Sequence, residues 1–325
     1  GGDPKPGFRT PLLGASGMMV LNNPARRGHN GILTALSGGL KGMVSRFAPY
    51  WQVAPITAVF LTFFLIPVVL VVVISFFDYQ TYDILIPAFT LTNYQDVFSS
   101  SVTYETYWTT AKLSFIVWSV TLVLGFAISY FLAFHVRSRR RQVVLLLLCT
   151  IPFWTSNEIQ MISWIPLLGR SGVINSVLLA TGMVKQPLEW LLYSQFAVVL
   201  GYVHLYTVFM IVPIFNSMMR IDKSLIEAAE DAGAKGLQVM LNVVLPLSKT
   251  GLAIGSIFVI SIVMGDFVTV NVLGGGQVAS VGKMIVTDLS SLQFPPAAAE
   301  SMVLMAFVIM LITALVRVVD IRKEL

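Results

Sequence analysis

Apolar residues run through this chain in long uninterrupted blocks. A bilayer core of about 30 Å needs roughly 20 apolar residues per helix. Six blocks reach that length, at about 53 to 77, 111 to 134, 143 to 166, 194 to 217, 250 to 272 and 298 to 318. The pattern predicts an all-α membrane protein with six transmembrane helices. Pro67, Pro152 and Pro213 lie inside these blocks, where bundles tolerate proline if neighbouring groups take up the freed carbonyls.

The polar stretches between the blocks set the orientation. Lys5, Arg9, Arg26, Arg27, Lys41 and Arg46 precede the first block, Arg137, Arg139, Arg140 and Arg141 follow the second, and the long 218–249 loop contains Arg220, Lys223, Lys235 and Lys249. Asp78 to Thr110 contains no Lys or Arg, and the remaining loops on that side hold only Arg170, Lys185 and Lys283. By the positive-inside rule, both termini and the 218–249 loop are expected in the cytoplasm. The net charge of +5 is then a topology signal that implies no nucleic-acid partner.

Composition agrees with a membrane chain: 56% of residues are hydrophobic and 11% charged, too little polar surface for a soluble globule of 325 residues. Residues 1–50 are Gly-rich and polar, and are expected to form a mostly disordered cytoplasmic arm, with Ile32 to Phe47 a candidate for resting on the membrane surface. The Met18-Met19 pair is a candidate natural start. Residues 51–108 are read as the first helix and an extracytoplasmic loop, 109–317 as the core, and 318–325 as a cytoplasmic tail. Cys149 is the lone cysteine, which excludes an intrachain disulfide, and His29, His135 and His204 lack metal-ligand spacing, so no metal site is expected.

The loop between the fourth and fifth blocks carries the strongest motif. Ser224 and Glu227 have capping-box spacing, which predicts a helix from Leu225 with Glu227 at the favourable end of its dipole. Ala228, Ala229 and Ala232 keep one face thin, so a partner's groove can approach closely, and Gly233 can supply the positive φ that ends the helix. The other reading, an amphipathic helix lying on the membrane, calls for bulky apolar and basic residues, whereas this segment carries Glu227, Glu230 and Asp231. Glu227, Ala228 and Ala229, then Gly233 after three residues, then Val243, Leu245 and Pro246, match the spacing of the EAA loop. In this the chain resembles the binding-protein-dependent ABC importer permeases of type I.

That resemblance implies a fold, a motor and partners. It implies the type I permease fold, with Ser224, Glu227, Ala228, Ala229, Gly233, Leu245 and Pro246 coupling the chain to an ATPase. No Gly-x-x-x-x-Gly-Lys-Ser/Thr occurs in the sequence, so ATP and Mg are expected on partner ATPase subunits and no cofactor in this chain. The expected partners are two ATPase subunits, an extracytoplasmic solute-binding protein and a second, different permease chain. A stand-alone secondary transporter or an intramembrane enzyme are the competing classes. The first often shows internal repeats and the second needs a nucleophile or metal set, and neither feature is evident.

Charged residues inside membrane helices cost about 2.5–3.5 kcal/mol on insertion scales, which makes each a functional candidate. Counted at 1.5 Å per residue along unbroken helices, Glu158 and Asp266 both reach roughly 22–24 Å from the cytoplasmic edge. With Asp288 and Glu300 they would make the outer mouth acidic. Trp154 and Phe267, near these carboxylates, suit a cationic organic solute through charge pairing and cation–π contact. The alternative is that Glu158 and Asp266 stabilise the bundle and the aromatics belong to the interfacial belt. Phe89 to Tyr94, Pro152 to Thr155, Gly265 to Val268 and Leu273 to Gly276 resemble the spermidine/putrescine branch of the same family. This implies a polyamine-type solute, with an opine or amino-acid derivative as the alternative.

Overall fold

The computed structural model describes residues 53–80 and 85–319. The expectations for residues 1–50 and for most of the tail lie outside the described residues. Contacts divide the chain into a first unit, Gly1–Pro67, and a second, Val68–Leu325. Among the described residues the structure is helical, with one isolated antiparallel bridge between Asp78 and Ile86.

Helix α1, Val53–Ile74, is apolar throughout and buries none of its described side chains. Then come α2, Thr92–Ser99, and α3, Ser101–His135, whose N-terminus is capped by Ser100 Oγ accepting from Thr103 N at 3.2 Å. The third block contains α4, Arg139–Thr150, and α5, Asn157–Leu168, followed by α6, Val173–Ala180. Helix α7 is Gln195–Met218, α8 Lys223–Asp231, α9 Gly236–Leu247 and α10 Lys249–Gly265. The chain finishes with α11, Val268–Gly274, α12, Val281–Ser290, and α13, Phe294–Val319. Five spans among the described residues are long and apolar enough to cross a membrane, and six if α9 and α10, bent by 69° at Ser248, count as one.

Two blocks depart from the expected continuous helices. The third does not run unbroken from 143 to 166. Pro152 cannot donate a backbone hydrogen bond, α4 stops at Thr150, and a tight turn at Ile151–Trp154 precedes α5. Gln160 Nε2 answers the carbonyls of Pro152 and Thr155, the latter at 3.1 Å, so the break is satisfied from within the chain. The fifth block likewise breaks at Asp266, between α10 and α11.

Proline also explains two wide turns. Leu61–Leu65 and Met240–Val244 each form a π-helical turn, and Pro67 and Pro246 follow two residues later. A proline ring collides with the carbonyl four residues back and removes one helical donor, and a widened turn absorbs both.

The core of the second unit is α7 held between α3 and α10. Helix α7 buries the side chains of Tyr202, Met210, Ile214 and Met218 among others. Small residues let its neighbours close in. A Cβ on Gly125 would meet Met210 at 2.6 Å, one on Gly255 would meet the Met210 sulfur at 2.7 Å, and one on Gly251 would meet the Pro213 carbonyl oxygen at 2.5 Å. The Gly251-x-x-x-Gly255 pair therefore packs helix on helix, as membrane bundles require. Polar ties fix the register: Ser129 Oγ donates to Ile211 O at 3.0 Å and Trp118 Nε1 to Ser256 Oγ at 2.8 Å.

Candidate coupling helix and solute path

Helix α8 begins earlier than the Ser224 box predicts. Asp222 is the residue before the helix, and its Oδ1 accepts from Ser224 N at 3.0 Å. Ser224 lies inside the first turn, so it does not cap the helix. The sequence offers two capping residues two positions apart, and the carboxylate, which also favours the positive end of the dipole, takes the position. The same bond holds the Asp222 carboxyl below the usual carboxylate range, chiefly through the backbone N–H of Ser224. Its stabilising effect is complete above the unfolded carboxylate pKa and is lost as pH falls through the lowered folded value. Replacing Asp222 with Asn should keep the cap and remove that acid dependence. Amide exchange across residues 223–231 at successive pH values would show it, and an unchanged acid transition would refute it.

The C-terminal end is as the sequence predicts. Gly233 has φ +88°, its N–H donates to Glu230 O at 2.8 Å, and Ala234 N donates to Ala229 O at 3.0 Å. These are the paired bonds of a Schellman end, which glycine makes without strain. No side chain of α8 is buried; Glu227 and Ala228 are exposed and Ala229 is half-buried. Val244 is fully buried beside the exposed Leu245 and Pro246, so the distal half of the loop is anchored while α8 projects. A cavity of about 550 Å³ lies between the end of α7, the first turn of α8 and the start of α10, with Asn216, Arg220, Leu225 and Gly251 among its walls. Leu225 of α8 thus faces the same cavity as residues of α7 and α10.

The path candidates fall at the two helix breaks. Trp154 ends the turn after α4 and is 82% exposed. Glu158 stands in the first turn of α5, exposed, with Ser156 Oγ donating to its Oε2. Because the third block is broken, its depth cannot be counted along one helix, and the matched depths of Glu158 and Asp266 do not follow. Asp266 terminates α10. Tyr206 OH donates to its Oδ2, Thr269 Oγ1 to the same oxygen at 3.1 Å, and Thr269 N to Oδ1 at 3.0 Å, which ties the carboxylate to the start of α11. Phe267 is exposed beside it. Among the described residues no hydrogen bond joins Glu158 to Asp266; each has its own partners.

Sequence reading missed an aromatic stripe that leads away from Asp266. Tyr202 and Tyr206 stack at 5.6 Å, Tyr206 meets Phe209 at 6.2 Å, and Phe209 touches Phe258 at 6.3 Å and Phe153 edge-on at 5.5 Å. The spacing of Tyr202, Tyr206 and Phe209 on α7, four and then three residues, was the available signal. Phe153 and Phe258 are exposed, and with Phe209 they enclose an apolar cavity of about 220 Å³. Tyr202 and Tyr206 are themselves buried in the core, so the rings that line open space are Phe153, Phe209 and Phe258. Ring faces of this kind can hold the methylene groups of an organic cation whose charge is paired elsewhere.

Residues 125–322 match the family described as binding-protein-dependent transport system inner membrane component, which is more than half of the chain. The chain belongs to that family. This inner-membrane component is therefore a transport subunit of an ABC importer that works with a solute-binding protein. It is 32% identical over 252 residues to the spermidine/putrescine transport system permease protein PotB of Haemophilus influenzae, covering 76% of this chain and 86% of the relative. It is 29% identical to PotB of Escherichia coli over 243 residues, covering 74% and 87%. Among solved structures, a bacterial ABC transporter involved in the import of the acidic polysaccharide alginate superposes with a TM-score of 0.72 at 16% identity, covering 86% of this chain and 98% of that one. The last likeness establishes the shared permease fold.

Proposed function

We propose that this permease subunit forms half of the translocation path for a polyamine-type cation, with its termini and α8 in the cytoplasm. The similarity to two PotB proteins over about three quarters of the chain carries this reading. The Asp266 carboxylate at a helix break, and the cavity lined by Phe153, Phe209 and Phe258, support it chemically. Two ATPase subunits would bind ATP and Mg, one of them docking on α8, and a second permease of different sequence would complete the path. A solute-binding protein would deliver spermidine or putrescine to the outer mouth, and closure of the ATPase pair would push α8 and turn α7 and α10 together.

Vesicles carrying the whole complex test this. Spermidine uptake should need ATP and the binding protein, and Asp266→Asn should lower it at least several-fold while a neutral solute gains nothing. Uptake by this chain alone in liposomes, or unchanged spermidine uptake by the Asp266→Asn complex, would overturn the reading.

A further inference from the structure

A second pair of carboxyl groups lies where α12 meets α13. Glu300, in the second turn of α13, is only 6% exposed, and its Oε2 has no hydrogen-bond partner. The Asp288 carboxyl of α12 is the hydrogen-bonding neighbour of the Glu300 carboxyl as a whole. Ionised carboxylates only accept hydrogen bonds, so such a bond between two of them requires a proton. Nor can two negative charges be held side by side in a buried site without a compensating cation.

Among the described residues, no cation figures among the groups that act on this pair. From α3, Tyr107 OH donates to the Glu300 main-chain oxygen at 2.8 Å, while Tyr104, Glu105 and Lys112 are exposed. From α2, Tyr94 is bonded to Ser75 and Asp96 is exposed. On α12 itself Lys283 is half-buried, and the ion pair found among the described residues is Arg170 with Glu189, elsewhere. The charged residues of α10 and α13, Lys249 and Arg317, lie at the opposite ends of their helices from this junction.

Helix α12 links this pair to the break at Asp266. Val281 N donates to Thr110 Oγ1 at 3.0 Å, and Gly282 lies so close to the break that a Cβ there would sit 2.8 Å from Gly265 O and 3.0 Å from Asp266 O. We propose that Asp288 and Glu300 share one proton at neutral pH, and that this proton fastens α12, and through it the Gly265–Asp266 break, to α13. Raising pH removes the proton to solvent, leaves two facing carboxylates and loosens the strut. Burial pushes the Asp288 carboxyl up from its ordinary range, in keeping with a retained proton. A carboxyl whose folded pKa is raised stabilises the fold below its unfolded pKa and loses that effect as pH rises through the folded one.

The test uses the full chain in lipid nanodiscs and does not depend on the solute. Infrared spectra at neutral pH should contain a protonated-carboxyl C=O band that shifts in D2O and disappears in Glu300→Gln. The melting temperature of the wild type should fall between about pH 5 and pH 9, and that of Glu300→Gln, which mimics the protonated acid, should stay flat over the same window. Asp288→Asn, which can still donate to Glu300, should also flatten the profile and covers the case in which the glutamine variant fails to fold. A wild type without the band, or variants that keep both the band and the wild-type pH profile, would overturn the proposal. Since loss of spermidine uptake alone alters neither readout, failure of this inference is distinguishable from failure of the polyamine reading.

Discussion

Replacing Gly251 with valine should abolish recovery of folded permease. The site has no room: an added Cβ would stand 2.5 Å from the Pro213 carbonyl oxygen, 2.7 Å from Ser217 Cβ and 2.9 Å from Ile214 Cα. Two of these three atoms are backbone, so no rotamer change relieves the contact. Overpacking a core commonly costs about 1–3 kcal/mol where side chains can move. Here α10 must withdraw from α7, which also disturbs the fit of Gly255 against Met210. The check is the yield and melting temperature of purified protein. Wild-type values for Gly251→Val would mean that α7 and α10 pack less closely than described.

Gly233→Val should behave in the opposite way, leaving folding intact and disconnecting transport from the ATPase. A Cβ at Gly233 meets nothing within 4 Å, so sterics with neighbours contribute nothing. The cost lies in φ +88°, a conformation that charges an L residue about 1–2 kcal/mol and a β-branched one more. At about 1.4 kcal/mol per tenfold, a 2 kcal/mol penalty depopulates the native end of α8 roughly thirtyfold. The exposed helix should then present its thin face wrongly while the anchored Val244 holds the rest in place. In vesicles of the complete complex, ATP hydrolysis should continue while uptake falls at least tenfold. Normal uptake would remove the docking role assigned to α8.

These two glycines show what sequence can and cannot convey. Both were identifiable, Gly233 from the loop spacing and Gly251 from its partner four residues on, because local spacing encodes local geometry. Four of the six spans were equally plain, since apolar length alone decides them. The break at Pro152 was not. Its signal is a single proline in an apolar run, and whether the helix kinks or stops depends on Gln160 reaching back to the carbonyls of the turn. The cap of α8 was misplaced by the choice between Asp222 and Ser224, which local propensity alone does not rank. Long-range partners were invisible: Tyr206 is 60 residues from Asp266, and Asp288 meets Glu300 only because α12 turns back onto α13.

The breaks share one property. At Pro152, at Ser248 and at Asp266, side chains of this chain bond to backbone groups at the break: Gln160 to the turn's carbonyls, the Ser248 hydroxyl to Val244 O at 2.7 Å beside the backbone bond already there, and the Asp266 carboxylate to Thr269 N. Joints sealed in this way do not fray when stress arrives. On the proposed function, a push on α8 would then travel through stiff rods swivelling at fixed knuckles, with no local melting into the surrounding oil.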